Sequence, residues 1–226
     1  MKINHSVNAL FLMVSLAFSA FSLELVLQNQ QPTPTPGDLT FVEQQGVETV
    51  HRFFQVWLKE RDPQKALGFT DDRLMDNKYL LTDDFLGEWQ INHQSDSGET
   101  KREILRAVLK EVAETVVSGE PAQVFSIDRI RDAEVETGTR ILNHPRKDGF
   151  LTVALDENWN NLHMDETPEQ VKYLKEMFPS EKYIGSVAVI QIRDRQTKEK
   201  FEAGMYFVWR YFNGEWKIIL LGLYGV

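Results

Sequence analysis

The chain has 226 residues, of which 42% are hydrophobic and 26% are charged, a composition typical of globular proteins rather than of disordered or fibrous ones. It contains no cysteine, which excludes disulfide bonds, zinc–thiolate sites and thiol nucleophiles. Its net charge of −9 opposes contact with phosphate backbones, so we expect no nucleic-acid partner.

The N-terminus has the features of a secretory signal peptide. Lys2 precedes the apolar run ALFLMVSLAFSAFS, and Ala17-Phe18-Ser19 places small residues where a signal peptidase cleaves, as does the repeat of this pattern at residues 20–22. The run is short for a membrane span. We predict a signal peptide over residues 1–22 and an extracytoplasmic mature protein, periplasmic or secreted, with no stable membrane insertion after cleavage. An uncleaved anchor is the alternative.

Residues 23–37 are predicted to form a proline-rich linker. The alternating prolines of QNQQPTPTPG favour extended polyproline II geometry. No internal repeat and no second linker follows, so we predict a single domain over residues 38–226.

The first half of this domain is predicted to be helical. Val47, Val50, His51, Phe54 and Leu58 recur at helical spacing, which indicates one buried stripe of a helix that runs to about residue 61.

Short helical segments are expected next. Asp62 followed by Pro63 is a helix-start signal ahead of QKALGFTDDRLM, and KYLLTDDFLGEW resembles another short helix or turn.

Two longer helices carry capping boxes. Thr100 and Glu103 precede an amphipathic stretch that we expect to end near Gly119. Thr167 with Pro168 begins the second box, ahead of VKYLKEMF.

The second half is predicted to be mainly strand. AEVETGTRIL and FLTVAL flank the polar turn NHPRKDG, and SVAVIQIR and FEAGMYFVWRYF flank DRQTKEK, so that each pair indicates an antiparallel hairpin.

A third hairpin is predicted at the C-terminus, where Asn213-Gly214 suits a type I′ turn. The expected facing pairs are Tyr211–Trp216, Trp209–Ile218 and Phe207–Leu220, which would share one buried face. The other face carries Arg210, Lys217 and Glu215 near the turn. Farther from the turn it becomes apolar, at Val208, Ile219, Tyr206 and Leu221, so we expect this face to be only partly buried. The hairpin would then form the interior of a curved antiparallel sheet covered by the N-terminal helices.

The chain resembles the nuclear transport factor 2-like, or SnoaL-like, superfamily in the order of its predicted elements. Helices come first, and a meander of antiparallel strands follows that ends with the hairpin containing NGEWKI. VHRFFQVWLKERDPQKALGFTDD is similar to its first two helices, and FVWRYFNGEWKIILLGL is similar to its final hairpin; the middle, about residues 85–180, is longer than the family pattern. The resemblance implies an α+β fold in which N-terminal helices pack on a curved antiparallel sheet, a cystatin-like cone with a cavity open at one end. It also leaves open a homodimer through the exposed sheet face.

His51 is the main candidate for chemistry. It lies on the stripe of the first helix, which in proteins of that superfamily helps to line the cavity, and a histidine there could act as a general base or bind a polar ligand group. The alternative is a half-buried structural histidine. Phe54, Phe207, Trp209 and Trp216 are candidates for a ligand-stacking wall or, alternatively, for plain core packing.

The segment DENWNNLHMDET, residues 156–167, begins like a calcium-binding loop but does not continue as one. Asp156, Asn158 and Asn160 alternate as metal ligands would, but Asn161 replaces the turn glycine and Thr167 replaces the bidentate glutamate. We therefore predict a polar loop, no metal and no cofactor.

The paired carboxylates Asp71-Asp72 and Asp83-Asp84 could shift each other's pKa for acid–base work. Their place beside short helices favours helix caps and solvated turns instead.

The leading hypothesis is a secreted or periplasmic, non-catalytic domain that binds a small apolar ligand or a protein partner through the mouth of the cone. One alternative is an isomerase-, cyclase- or dehydratase-type enzyme with His51 as its base. Another is an accessory module for cell-envelope assembly, tethered by the linker.

Overall fold

A computed structural model of the chain describes residues 39–77, 98–121, 140–143, 149–159, 167–193 and 197–224. Within these ranges helices accompany a four-stranded antiparallel sheet, so the architecture is α+β. None of the helices described there combines the length and the apolarity needed to cross a bilayer. The predicted signal peptide, the linker, the segment KYLLTDDFLGEW and Asp83-Asp84 lie outside the described residues.

The first helix, α1, spans Phe41–Phe54 and continues as a wider π-helical turn over Gln55–Lys59. It begins with a capping box in which the side chain of Thr40 accepts from the Glu43 N–H and the Glu43 carboxylate accepts from the Thr40 N–H. The π turn brings three consecutive side chains, 56–58, into the core.

The second helix, α2, spans Pro63–Leu67, and its predicted cap is confirmed because Asp62 Oδ1 accepts from the Lys65 N–H at 2.9 Å. A 3₁₀ turn over Asp72–Asp76 follows, in which the Asp71 side chain accepts from the N–H of residue 73.

The third helix, α3, spans Gly98–Thr115, and two predictions about it are wrong. Thr100 lies inside the helix and not at its N-cap. The helix also ends before Gly119, because Val116 leaves it to form an antiparallel bridge with Ile192. Tertiary pairing has therefore overridden the local stop signal.

The fourth helix, α4, spans Pro168–Met177. Its predicted capping box is confirmed, with Thr167 and Gln170 bonded reciprocally.

The sheet contains β1 (Phe150–Ala154), β2 (Lys182–Arg193), β3 (Lys200–Phe212) and β4 (Glu215–Tyr224) in that spatial order, all antiparallel. The predicted β2–β3 and β3–β4 hairpins are confirmed. The first predicted hairpin is confirmed for its last residues, because residues 140–142 pair antiparallel with residues 152–154. Residues 133–139 of its first strand lie outside the described ranges.

The β3–β4 turn has positive φ angles at Asn213 (52°) and Gly214 (84°), as a type I′ turn requires. The pairing then shifts by one residue, because a β-bulge separates the Trp209–Ile218 pair from the next one. Phe207 consequently faces Leu221, and the predicted Phe207–Leu220 pair is wrong.

Both faces of the central strands are buried. On one face α1 packs closely: the Phe53 ring centroid lies 5.1 Å from that of Phe207 and 5.5 Å from that of Trp209. On the other face Val208 and Ile219 are fully buried. The prediction that this face is buried where it becomes apolar is therefore confirmed. Arg210, which was predicted on its polar part near the turn, is buried as well, whereas Glu215 is exposed.

Candidate functional site

The aromatic side chains predicted to contact a ligand lie within the helix–sheet core. Phe207 and Trp209 have no exposed surface, and Phe54 packs edge-on against Phe207 with centroids 5.7 Å apart. A ligand would reach these rings only if the packed side chains moved apart. Their ligand contacts stay a prediction, and their observed role is to hold α1 on the sheet.

His51 does not lie on the buried stripe of α1. The residue is exposed, whereas its neighbour Val50 is fully buried. Its ring stacks at the margin of the sheet on Phe150, with centroids 6.1 Å apart. The predicted burial of His51 is therefore wrong, because the face of α1 that meets the sheet is centred on Val50, Phe53 and Phe54. Its function as a base stays a prediction.

The polar loop begins as predicted, since Asp156 Oδ1 accepts from the Asn158 N–H at 2.9 Å. Asn160 and Asn161 lie outside the described residues. Among the residues that are described, no three acidic or histidine side chains are grouped so that they could hold a metal ion.

A buried carboxylate that the sequence did not reveal joins α1 to the sheet. Glu43 is fully buried, and its Oε1 forms ion pairs with Arg140, at 2.5 Å, and with Lys182. Burial raises the pKa of Glu43, but hydrogen bonds from Lys182, Thr40 and Arg140 outweigh that effect and hold the pKa at about 2, against an ordinary value of 4.5. Glu43 is therefore a structural charge.

A second buried charge pair joins the segment after α2 to β3. Asp71 Oδ2 accepts from Arg210 Nε at 2.7 Å, and both residues are buried. The Arg210 guanidinium also donates to the carbonyl of Pro179 and lies over the ring of Phe212, 4.7 Å from its centroid. Asp71 was favoured as a helix cap or part of a solvated turn. It does cap the 3₁₀ turn, but it is buried rather than solvated and also neutralises Arg210.

An open groove of about 380 Å³ lies where α1, the loop after α2 and the β3–β4 turn meet. We call it the hairpin groove and define it by Gln45, Thr49, Lys65, Phe69, Trp216 and Lys217. No local sequence signal indicates it, because its walls come from three segments far apart in the chain.

Hydrogen bonds fix the walls of the hairpin groove. Trp216 Nε1 donates to the carbonyl of Val42 at 3.0 Å, which anchors the start of α1 on β4. Gln45 Nε2 donates to the carbonyl of Gly214 at 3.3 Å, which ties α1 to the turn. The groove is thus formed before any ligand binds.

The chemistry of the hairpin groove is mixed. Half-buried Phe69 supplies apolar surface, whereas Trp216 is only 3% exposed. Lys65 and Lys217 place two ammonium groups at the rim, each near a carboxylate. Phe41, one helical turn before Gln45 on the same side of α1, is 81% exposed. Apolar surface beside cationic side chains suits a peptide better than a metal or a reacting substrate.

The resemblance to the nuclear transport factor 2-like superfamily rests on the sequence patterns alone and stays a prediction. Comparisons with protein-family models, with curated proteins and with solved structures found no match to this chain.

Proposed function

We propose that this chain is an extracytoplasmic binding domain that recognises a segment of a partner protein in the hairpin groove. The observation that carries the proposal is the groove between α1 and the β3–β4 turn. The exposed ring of Phe41 lies one helical turn before Gln45, which lines the groove. Large exposed apolar side chains that adjoin a groove are typical of protein interaction sites.

A partner segment fits this groove better than a small apolar ligand does. Small-molecule sites enclose most of the surface of their ligand, whereas this groove is open along one side. The rings predicted to form an internal ligand wall, Phe207 and Trp209, are already covered by α1. An extended chain can lie in an open groove and continue over Phe41.

The extracytoplasmic location is supported by the signal-like sequence of residues 1–22 and the linker of residues 23–37. Fractionation of cells that express the full chain tests it. Recovery of the chain without residues 1–22 in the periplasm or medium supports the location, and recovery of the intact chain in the cytosol contradicts it.

Site-specific photo-crosslinking tests binding. A benzophenone amino acid replaces Glu215, whose side chain lines the groove and is 71% exposed; the control replaces Glu120, which is 76% exposed and lies near the opposite end of α1. In the native host we expect a discrete adduct from position 215 that is absent from position 120. Charge reversal of Lys65 at the groove rim should weaken that adduct. Equal crosslinking at both positions, or none at 215, would overturn the proposal.

A further inference from the structure

The most exposed large apolar side chain among the described residues lies where the linker enters the domain. Phe41 is 81% exposed and directly follows the N-cap residue Thr40 at the start of α1. The other exposed aromatic side chain, that of Phe212, is 42% exposed and has the guanidinium of Arg210 over its ring. Phe41 is therefore the surface that a covering segment would bury most, and the linker of residues 23–37 is close to it in the chain.

A continuous path leads from Phe41 into the hairpin groove. Gln45 and Thr49, which line the groove, follow Phe41 at intervals of four residues on one side of α1. Eight residues of helix rise about 12 Å, which is the length of this path. Half-buried Phe69 adds a second aromatic ring in the groove. The path thus offers aromatic surface both at its start and inside the groove.

The linker is long enough to cover this path. Residues 31–36, QPTPTP, contain three alternating prolines and favour polyproline II geometry, in which four residues span about 12 Å. Residues 37–38 connect this run to Leu39, where the described part of the chain begins. Gly37 tolerates the backbone angles that a reversal of direction needs. A run that reverses there can lie antiparallel to α1 along the whole path.

The charges of the hairpin groove favour an uncharged occupant. Lys65 Nζ lies 3.3 Å from a carboxylate oxygen of Asp62, and Lys217 Nζ lies 3.6 Å from one of Glu215, so both ammonium groups are already paired. A charged segment of either sign would repel one member of each pair. Residues 25–37 contain no charged side chain, although 26% of the whole chain is charged. The linker therefore leaves both ion pairs intact.

We propose that residues 31–36 fold back along α1 and occupy the hairpin groove, with their proline rings against Phe41 and Phe69. Proline-rich segments bind aromatic-lined grooves in this geometry because they lose little conformational entropy. The linker is also tethered to α1, which gives it an effective concentration of about millimolar, so weak contacts suffice. The partner segment must then displace the linker. This regulatory step rests on the proposed function, whereas the docking of the linker does not.

Pulsed electron paramagnetic resonance of the full chain tests the docking, because a chain without cysteine accepts thiol-reactive spin labels only at introduced cysteines. One label replaces Gln30, directly before the proline run. The other replaces Glu120, which is 76% exposed and lies near the opposite end of α1. We expect one narrow distance distribution. A distribution as broad as that of a free coil would overturn the inference. A narrow distribution that changes with protein concentration would do so as well, because the linker would then dock on a second copy.

The two exposed phenylalanines provide a matched pair of variants. Phe41→Ser should broaden the distance distribution at least about twofold, because the proline run loses an aromatic contact and approaches a free coil. Phe212→Ser is the control, since this ring is exposed but does not line the groove, and the distribution should not change. Replacing Pro32, Pro34 and Pro36 together by serine keeps the length of the linker and should broaden the distribution as Phe41→Ser does. Equal distributions in the two phenylalanine variants would contradict docking along this path.

Photo-crosslinking separates the regulatory step from the docking. The triple serine variant should raise the yield of the adduct from position 215 at least about twofold, because a groove that is free more often binds its partner with higher apparent affinity. If the serines release the linker but the yield stays the same, the regulatory step is wrong, and the docking and the proposed function stand. If both versions lack the adduct, the proposed function fails, and the distance distribution alone decides the docking.

Discussion

Asp71 and Arg210 form a buried ion pair although 139 residues separate them in the chain. Asp71 lies at the end of the short segment that pairs with Ile218, and Arg210 lies on β3. The pair therefore ties the loop that borders the hairpin groove to the centre of the sheet. Its position makes it a structural determinant of the groove.

We expect Asp71→Asn to destabilise the fold by about 3–5 kcal/mol, because the change leaves the buried guanidinium of Arg210 without its counter-charge. Urea denaturation measures the loss. Asp72→Asn is the matched control, since the neighbouring carboxylate is almost fully exposed and its loss should change stability by less than about 0.5 kcal/mol. Similar effects of the two changes would show that the buried pair contributes little.

Glu43 should make stability depend on pH in the acid range. Its pKa is about 2 in the folded chain and near its ordinary 4.5 when unfolded. Because the folded pKa is the lower one, the ionised carboxylate contributes its full stability above about pH 4.5. That contribution, at most about 3 kcal/mol, is lost as the pH falls from 4.5 toward 2.

Glu43→Gln provides the comparison for this prediction. The variant should be less stable than the original chain at pH 6, and the difference should shrink as the pH is lowered from 4.5 toward 2. Thermal denaturation at a series of pH values measures both curves. A difference that stays constant across this range would show that the ionised form of Glu43 does not stabilise the fold.

Local signals predicted much of the fold. The caps at Asp62 and Thr167 and the turn at Asn213-Gly214 depend on neighbours within three residues, and the structure confirms all three. The C-terminal hairpin followed from the same turn together with strand alternation. Such features can be read from the sequence because their partners are adjacent in the chain.

The candidate site could not be predicted in this way. Glu43 meets Arg140 across 97 residues, and the hairpin groove joins three distant segments. The burial of His51 was predicted wrongly because helical spacing defines the centre of an apolar stripe but not its edges. Which side chains at the edges are buried depends on how α1 contacts the sheet. The β-bulge in β4 has no turn residue to mark it, so the alternation predicted the wrong partner for Phe207.

The close approach of α1 to the sheet predicts the effect of Gly46→Ala. A Cβ at this position would lie 2.8 Å from Ile184 Cδ1 and 3.0 Å from the Trp216 ring. Alanine favours a helix by up to about 1 kcal/mol over glycine, but overpacking costs about 1–3 kcal/mol, so we expect a net loss of stability.

Adding Ile184→Val to Gly46→Ala removes the nearest clashing atom. By itself Ile184→Val should cost about 0.5–1.5 kcal/mol, but the double variant should be more stable than the sum of the two single changes predicts. Chemical denaturation of the four proteins measures this coupling. Strict additivity would mean that α1 can shift away from Ile184 without loss, and the groove wall would then be less rigid than its hydrogen bonds indicate.

Two hydroxyl groups that face each other across β1 and β2 should respond in opposite directions to removal. Thr152 and Ser186 are paired and both are fully buried in the core beneath α1. Ser186 Oγ accepts from Trp209 Nε1 at 2.8 Å, whereas Thr152 Oγ1 has no hydrogen-bond partner in the part of the chain that the structure describes. Ser186→Ala should therefore destabilise the chain by about 1–3 kcal/mol, because it leaves the buried indole N–H of Trp209 without an acceptor.

Thr152→Val should have the opposite effect and raise the free energy of unfolding by about 1 kcal/mol. The change replaces a buried hydroxyl that lacks a partner among the described residues by a methyl group of similar shape. Urea denaturation of both variants checks the pair. A loss of stability in Thr152→Val would show that the threonine hydroxyl is engaged in the folded protein. The core beneath α1 would then contain a second polar contact beside the hydrogen bond between Trp209 and Ser186.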